Sequence, residues 1–260
     1  MSVAAIPYVS IQSIGGVQPF GLIALAGVAL GVVTVVLLGR KRGIPGAQLG
    51  LIVPLATFAV MFGSHFFDVA WYQWDRASQD SMLWLRLYQG VSVFGGVAGA
   101  ALVIWPLASN KATPLGIWAD LAALGMLVGL FVGRIGCALV HDHPGVPTEL
   151  PIGVDFPVDR LWFDGARELA GGEQFLRLHD VGLEELVLLL PLLIAAFALR
   201  NRFTRPGTLA ALISIGYAAI RFPLDFLRIA ESEPTRLGLT GGQWGCLVLA
   251  VVAGLALRKR

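Results

Sequence analysis

Seven apolar runs punctuate the chain, at about 20–38, 50–72, 91–108, 115–136, 183–199, 207–228 and 242–257. A helix that crosses a bilayer needs about 20 mostly apolar residues, so each run predicts a span. The fifth and seventh runs are short and have room to extend into their flanks. Between the fourth and fifth lies 141–182, punctuated by Pro144, Pro147, Pro151 and Pro157 and by Gly145, Gly153, Gly165, Gly171 and Gly172. That spacing predicts a loop-rich cap with two short strands, around 152–156 and 161–163. The cap is too small for an independent domain. The expectation is one all-α, polytopic membrane domain over 1–260, with 141–182 inserted between spans 4 and 5. No internal repeat or low-complexity tract interrupts it.

Composition agrees with this pattern. Hydrophobic residues make up 56% of the 260 positions and charged residues 14%, and mean hydropathy is +0.75. A soluble domain carries about 25% charged residues. The net charge of +2 gives no reason to expect nucleic acid. Two cysteines, Cys137 and Cys246, allow at most one bridge, and small core residues are their ordinary reading. The first 39 residues hold no Lys, Arg, Asp or Glu. A secretory signal opens with positive charge, so the first run reads as a retained span.

The loop charges are asymmetric. Arg40, Lys41, Arg42, Lys111, Arg200, Arg202, Arg205, Arg258, Lys259 and Arg260 fall in alternate connections that hold no acid. The other side carries Asp75, Arg76, Asp80 and Arg86, the acidic 141–182 stretch, then Glu231, Glu233 and Arg236. Basic residues mark the cytoplasmic side, which predicts an external N-terminus, a cytoplasmic C-terminus and an odd number of spans. Trp71, Trp74, Trp84, Trp105, Trp118 and Trp244 fall near span ends, as an interfacial belt does.

Against that apolar background two arginines stand out, Arg134 and Arg221. A guanidinium stays charged, and an ionisable residue at membrane depth is a functional-site hypothesis by default. At about 1.5 Å per residue, Arg134 lies about 28 Å along span 4 and Arg221 about 21 Å along span 6. Both approach the outer interface. Tyr217, Arg221 and Asp225 share one face at i, i+4 and i+8, Arg228 continues it, and Pro223 predicts a bend. Two readings compete: an Arg221–Asp225 pair that locks helix packing, and an anion site in which Asp225 orients a guanidinium that forks onto a phosphate.

His141, Asp142 and His143 follow Arg134 closely. A histidine oriented by a carboxylate can act as a general base, and a solvated interfacial turn is the alternative. A metal is not expected, because adjacent residues rarely converge on one ion and only His179 offers itself as a third ligand. His65 in span 2 reads as buried and bonded to Asp68. Asp120 reads as a carboxylate near the start of span 4, stabilised by that helix's dipole. Gly95, Gly96 and Gly99 permit close helix approach or line a slot for an acyl chain.

At these residues the chain resembles the prolipoprotein diacylglyceryl transferase family. Gly133-Arg134-Ile135-Gly136 is similar to the family's Gly-Arg-x-Gly-Asn-Phe signature, and Asp120 stands where the family has an Asp early in that span. Tyr217, Arg221, Phe222 and Asp225 resemble its Tyr-x-x-x-Arg-Phe-x-x-Glu. Leu239-Thr240-Gly241-Gly242-Gln243 resembles its Leu-Ser/Thr-x-Gly-Gln. The stretch from Gly90 to Gly96 resembles Gly-Met-Ser-Phe-His-Gly-Gly, with Phe94 at the His position. Other positions depart. Phe20-Gly21 replaces Tyr-Gly, Cys137 replaces Asn, and Val140-His141-Asp142 replaces Asn-Gly-Glu. The residues from His179 to Glu185 replace His-Pro-x-Gln-Leu-Tyr-Glu.

The resemblance implies seven spans in a bacterial inner membrane and no cofactor. It implies transfer of diacylglyceryl from phosphatidylglycerol to the lipobox cysteine thiol of a prolipoprotein. Arg134 and Arg221 would then hold the phosphate, with His141 or His143 as the base that Phe94 cannot supply and Asp142 orienting it. Tyr217, Asp225, Cys137, Gly145, Gly95, Gly96, Phe94 and Gln243 would line the substrate site, among membrane lipids. The departures keep two alternatives open: a transferase of the same fold acting on another lipid or acceptor, and a non-catalytic lipid-binding protein.

Overall fold

A computed structural model describes residues 6–11, 19–87, 90–108, 113–163, 165–229 and 234–258. Lys111, Glu231, Glu233, Lys259 and Arg260 lie outside them. In chain order the helices are α1 (Pro19–Lys41), α2 (Gly46–Tyr72), the short α3 (Trp74–Gln79), α4 (Val93–Ala108), α5 (Leu115–Val140), the single-turn α6 (Ala166–Leu169), α7 (Val181–Leu199), α8 (Thr208–Leu224) and α9 (Gly241–Arg258). The fold is the expected all-α, polytopic one. Six of the helices are long and apolar enough to cross a membrane.

The third expected span is the exception. α4 has 16 residues, about 24 Å at 1.5 Å per residue, against a hydrocarbon core of about 30 Å. It starts late because Gly90 is left-handed (φ +83°) and the Ser92 N–H bonds Ser64 O at 3.0 Å. The fifth and seventh runs lengthen into their flanks. Asp180 caps α7 by accepting the Leu183 N–H at 3.0 Å. Thr240 and Gln243 cap α9 reciprocally, each side chain accepting the other's N–H at 3.0 Å, a capping box.

Small residues set how closely helices pack, as expected where lipid removes any hydrophobic drive between them. α1 lies along α5 through Gly27 and Gly31 against Gly125 and Gly129; a Cβ on Gly31 would sit 2.6 Å from Gly125 O. α2 lies along α4 in the same way, with Gly63 and Gly95 each against the other's carbonyl. At Gly95 and Gly96 the geometry matches the close-approach reading. A Cβ at Gly95 would also meet Phe67 Cβ, and one at Gly96 would lie 2.7 Å from Ser64 Oγ, so α2 already fills that space.

The cap holds a four-stranded sheet. β1 (Ile6–Pro7), β2 (Pro144–Pro147), β3 (Val154–Pro157) and β4 (Phe175–Asp180) order as β1-β3-β4-β2, with β1 parallel to β3 and the other pairs antiparallel. β5 (Thr235–Arg236) and β6 (Leu239–Thr240) form a separate hairpin before α9. The expected strand at 152–156 matches β3 within two residues. That at 161–163 does not form: the chain leaves a 3₁₀ turn at Val158–Arg160, Phe163 enters the cap's apolar cluster with Val154, Phe156 and Leu178, and Trp162 faces outward. The partner strand is β4, whose Leu176 and Leu178 alternate with Arg177 and His179.

Two buried polar residues differ from expectation. Asp120 stabilises another helix's N-terminus, not its own. It accepts the N–H groups of Gly207 at 3.0 Å and Ala210 at 2.8 Å, where α8 begins. His65 is fully buried, but it bonds the carbonyls of Leu83 (3.0 Å) and Gly90 (3.4 Å). Asp68 instead accepts from Gln73 Nε2 at 2.6 Å.

Candidate active site

Three helices bring charge to the cap end of the bundle. α5 carries Arg134 near its C-terminal end, α7 carries Glu185 just past its first turn, and α8 carries Tyr217 and Arg221 in its last turns. Glu185 Oε2 lies 2.7 Å from Arg134 Nη2 and 2.9 Å from Arg221 Nη1. One carboxylate oxygen thus joins the two arginines. The Tyr217 hydroxyl donates to Glu185 Oε1 at 3.4 Å. Asp225 Oδ1 pairs with Arg221 Nη2 at 2.7 Å, Asp225 Oδ2 accepts from Thr240 Oγ1 at 2.6 Å, and Arg228 Nε lies 3.6 Å from Asp225 Oδ1.

Glu185 is 0% exposed, Arg221 6% and Arg134 9%, so these contacts are made away from water. Arg134, Arg221 and Arg228 are met by Glu185 and Asp225, and Asp142 stands beside Arg134 through His143. Arg134 Nε has no hydrogen-bond partner among the described residues. A buried charged donor left unmatched needs an explanation, and an anion supplies one. Pro223 sits in the last turn of α8, and the backbone leaves for a 3₁₀ turn at Asp225–Leu227. The expected bend is therefore a helix end, and it keeps Asp225 one turn from Arg221.

The two histidines separate. α5 ends at His141, which is left-handed (φ +52°). Its imidazole bonds Asp180 and packs against Tyr8 and Phe156, so it belongs to the cap. His143 Nε2 lies 3.5 Å from Arg134 Nη1, and its Nδ1 bonds Asp142. Asp142 thus orients His143, with Nδ1 carrying the proton and Nε2 the lone pair. Burial, with Arg134 and Arg228 nearby, lowers the His143 pKa despite Asp142. Burial opposes ionisation of Asp142, but the His143 hydrogen bond and the charges of His143 and Arg134 outweigh it and lower its pKa.

Adjacent residues do converge here. Donor atoms of Cys137, Asp142 and His143 lie within 4.8 Å of one another. Arg134 Nη1 is, however, 3.6 Å from Cys137 Sγ and 3.5 Å from His143 Nε2. A guanidinium already holds the position a metal cation would take.

The remaining expected site residues divide into neighbours of the site and scaffold. Cys137 touches Arg134 and is free, as is Cys246; both are buried. Phe94 is half-buried beside Tyr217, with ring centroids 6.2 Å apart, where it offers an apolar wall and no proton. Gly145 pairs with Arg228 across an isolated bridge, and a Cβ there would meet Leu227 O. Gln243 is 2% exposed, and its amide is consumed by the α9 cap and by Phe222 O. Its described contacts are thus structural ones.

A sequence model of the prolipoprotein diacylglyceryl transferase family matches residues 9–258. The chain belongs to that family. A relative from Nitratidesulfovibrio vulgaris is 32% identical, over 86% of this chain and 83% of its own length. One from Gloeobacter violaceus is 27% identical over 84% and 81%, and one from Streptomyces griseus 27% over 92% and 73%. All three are named phosphatidylglycerol–prolipoprotein diacylglyceryl transferase. Within this family member, the Gly133–Gly136 and Tyr217–Asp225 segments meet at Glu185. Sequence reasoning placed Glu185 in a degenerate motif without giving it a role. The signal was there: an acid just inside an apolar span, opposite two unexplained arginines.

Proposed function

We propose that this protein transfers the diacylglyceryl group of phosphatidylglycerol to the lipobox cysteine thiol of a prolipoprotein, in a bacterial inner membrane. One observation carries the reading: two buried arginines from different helices converge on one carboxylate, and Arg134 retains an unmatched N–H. A phosphodiester oxygen accepts from that N–H. Arg134 and Arg221 hold the phosphate, while Glu185 and Asp225 set the direction of their forks.

In the reaction the thiol sulfur attacks the terminal glycerol carbon of the diacylglyceryl group. The S–C bond forms, the C–O bond to phosphate breaks, and glycerol phosphate leaves with one more negative charge. Donors fixed where charge develops stabilise that step most, which is the task of the arginine pair. The thiol must lose its proton to attack, and His143 Nε2 takes it while Asp142 holds the ring.

Charge placement supports an external cap. Arg42 reaches Asp120 (3.8 Å) and Arg200 O (3.2 Å), and Arg205 reaches the carbonyls of Ala256 and Leu257. These basic residues therefore share the end of the bundle opposite the cap, which the positive-inside rule assigns to the cytoplasm.

The test uses the purified full chain, phosphatidylglycerol vesicles and a lipobox-cysteine peptide, with the thioether product read by mass spectrometry. Transfer that disappears when the peptide cysteine is replaced by serine is expected. Lipid binding without any thioether would overturn the transferase reading and leave a lipid-binding protein of the same fold.

A further inference from the structure

A cavity of about 110 Å³ opens beside His143, lined by Asp142, His143, Pro144, Trp162 and Arg228. The backbone bridge between Gly145 and Arg228 builds it, by tying the start of the cap to the segment after α8. One water needs roughly 10–15 Å³, so a group of several heavy atoms fits. Its walls are chemically mixed. Asp142 offers a carboxylate that accepts hydrogen bonds, Arg228 a guanidinium that donates them, and Trp162 an indole. His143 links the cavity to the phosphate-binding arginines, since its Nε2 lies 3.5 Å from Arg134 Nη1.

We infer that this cavity is the subsite for the terminal diol of the lipid headgroup, and that Trp162 and Arg228 select the headgroup alcohol. The inference rests on the transferase reading above. A phosphate seated on Arg134 directs its headgroup substituent past His143 into the cavity. A vicinal diol suits these walls because each hydroxyl both donates and accepts: it donates to Asp142 and accepts from Arg228. An ammonium headgroup would satisfy Asp142 but meet the Arg228 charge. An alkyl headgroup would leave both walls unmatched, and buried polar groups without partners are what make a site reject an analogue.

Binding of short-chain phosphatidylglycerol and short-chain phosphatidylpropanol to the full chain in detergent separates the possibilities. The two lipids share the phosphate and acyl chains and differ only in the hydroxyls. Calorimetry on the wild type should show phosphatidylglycerol binding at least about tenfold tighter. Trp162 is 57% exposed, so Trp162→Ala leaves the fold in place, and Arg228→Gln removes the donor charge. Each should cut the preference to under about threefold, mainly by weakening phosphatidylglycerol. No preference in the wild type, or a preference that survives both substitutions, overturns the subsite. Transfer to the lipobox peptide is measured in parallel. Transfer retained while the preference is absent refutes the subsite alone, whereas a preference that behaves as expected without any transfer refutes the transferase reading alone.

Discussion

Arginines gather at both ends of the bundle, with Arg42 and Arg205 exposed at the basic end and Arg134 and Arg221 buried at the cap end, and the two ends resolve their charge in opposite ways. At the basic end the partners are mostly backbone, with Arg42 also 3.8 Å from Asp120. Arg205 bonds the last carbonyls of α9, Arg42 reaches Arg200 O, and Asp120 accepts two amides at the start of α8. Those are the unmatched groups every helix end carries, so the charges there complete the scaffold. At the cap end the partners are other side chains. Arg134 and Arg221 share one oxygen of Glu185, and Arg134 Nε is left over. A basic residue in an apolar chain is thus not informative by itself. What identifies the functional end is the unmatched donor, an imidazole within reach and a cavity beside it.

The comparison breaks most visibly at Glu185. Glu185→Gln leaves two buried guanidiniums facing a neutral amide, and removing one partner of a buried ion pair costs about 3–5 kcal/mol. Thermal unfolding in detergent should show a large drop in Tm, with transfer lost as well. A mild effect would mean that water or lipid already compensates the arginines. Arg134→Lys is next. Lysine keeps the charge but loses the planar fork, so transfer should fall about 10²–10³-fold, as when a donor to developing negative charge is removed. Tm should change far less than for Glu185→Gln. Equal losses in both variants would make Arg134 a packing element like Arg205.

The same contrast explains what the sequence could show. Apolar runs gave the helices, because a span has to satisfy its own backbone wherever lipid surrounds it. Gly95, Gly96 and Gly99 already pointed to close helix approach. The two arginines were visible because charge is rare in such runs. Their partners were less so. Glu185 sits just past the first turn of α7, where an acid reads as an ordinary N-terminal residue, and only the crossing of three helices gives it both arginines. The histidines were adjacent in sequence and inseparable there. The left-handed turn at His141 sends one ring to Asp180 in the cap and the other to Arg134. β4 was hidden for a similar reason: its apolar residues are few and its pairing with β3 spans a loop.

His143 gives a third, smaller break. A general base contributes about 10²–10⁴-fold, and with Arg134 still in place His143→Gln should fall at the low end of that range. The pH profile carries the sign. The His143 pKa lies below the usual 6.5, so the base stays neutral through pH 6.5 and transfer should decline only in more acidic buffer. His143→Gln should lack that acid limb, whereas His141→Ala should keep it. A limb that followed His141 instead would move the base into the cap and separate it from the arginines.

The mildest test lies at the other end. Asp120→Ala removes the acceptor for Gly207 and Ala210, and loss of such a cap costs about 1–2 kcal/mol. Tm should fall modestly, while transfer at a temperature where the variant remains folded should match the wild type. About 14 residues of α5 separate Asp120 from Arg134, roughly 21 Å at 1.5 Å per residue, so a cap lost at one end has no direct route to the proposed phosphate site. If transfer fell with Tm held constant, the two ends would be coupled through α8, which begins on Asp120 and ends on Asp225. The basic end would then help to position the arginine pair as well as complete the scaffold.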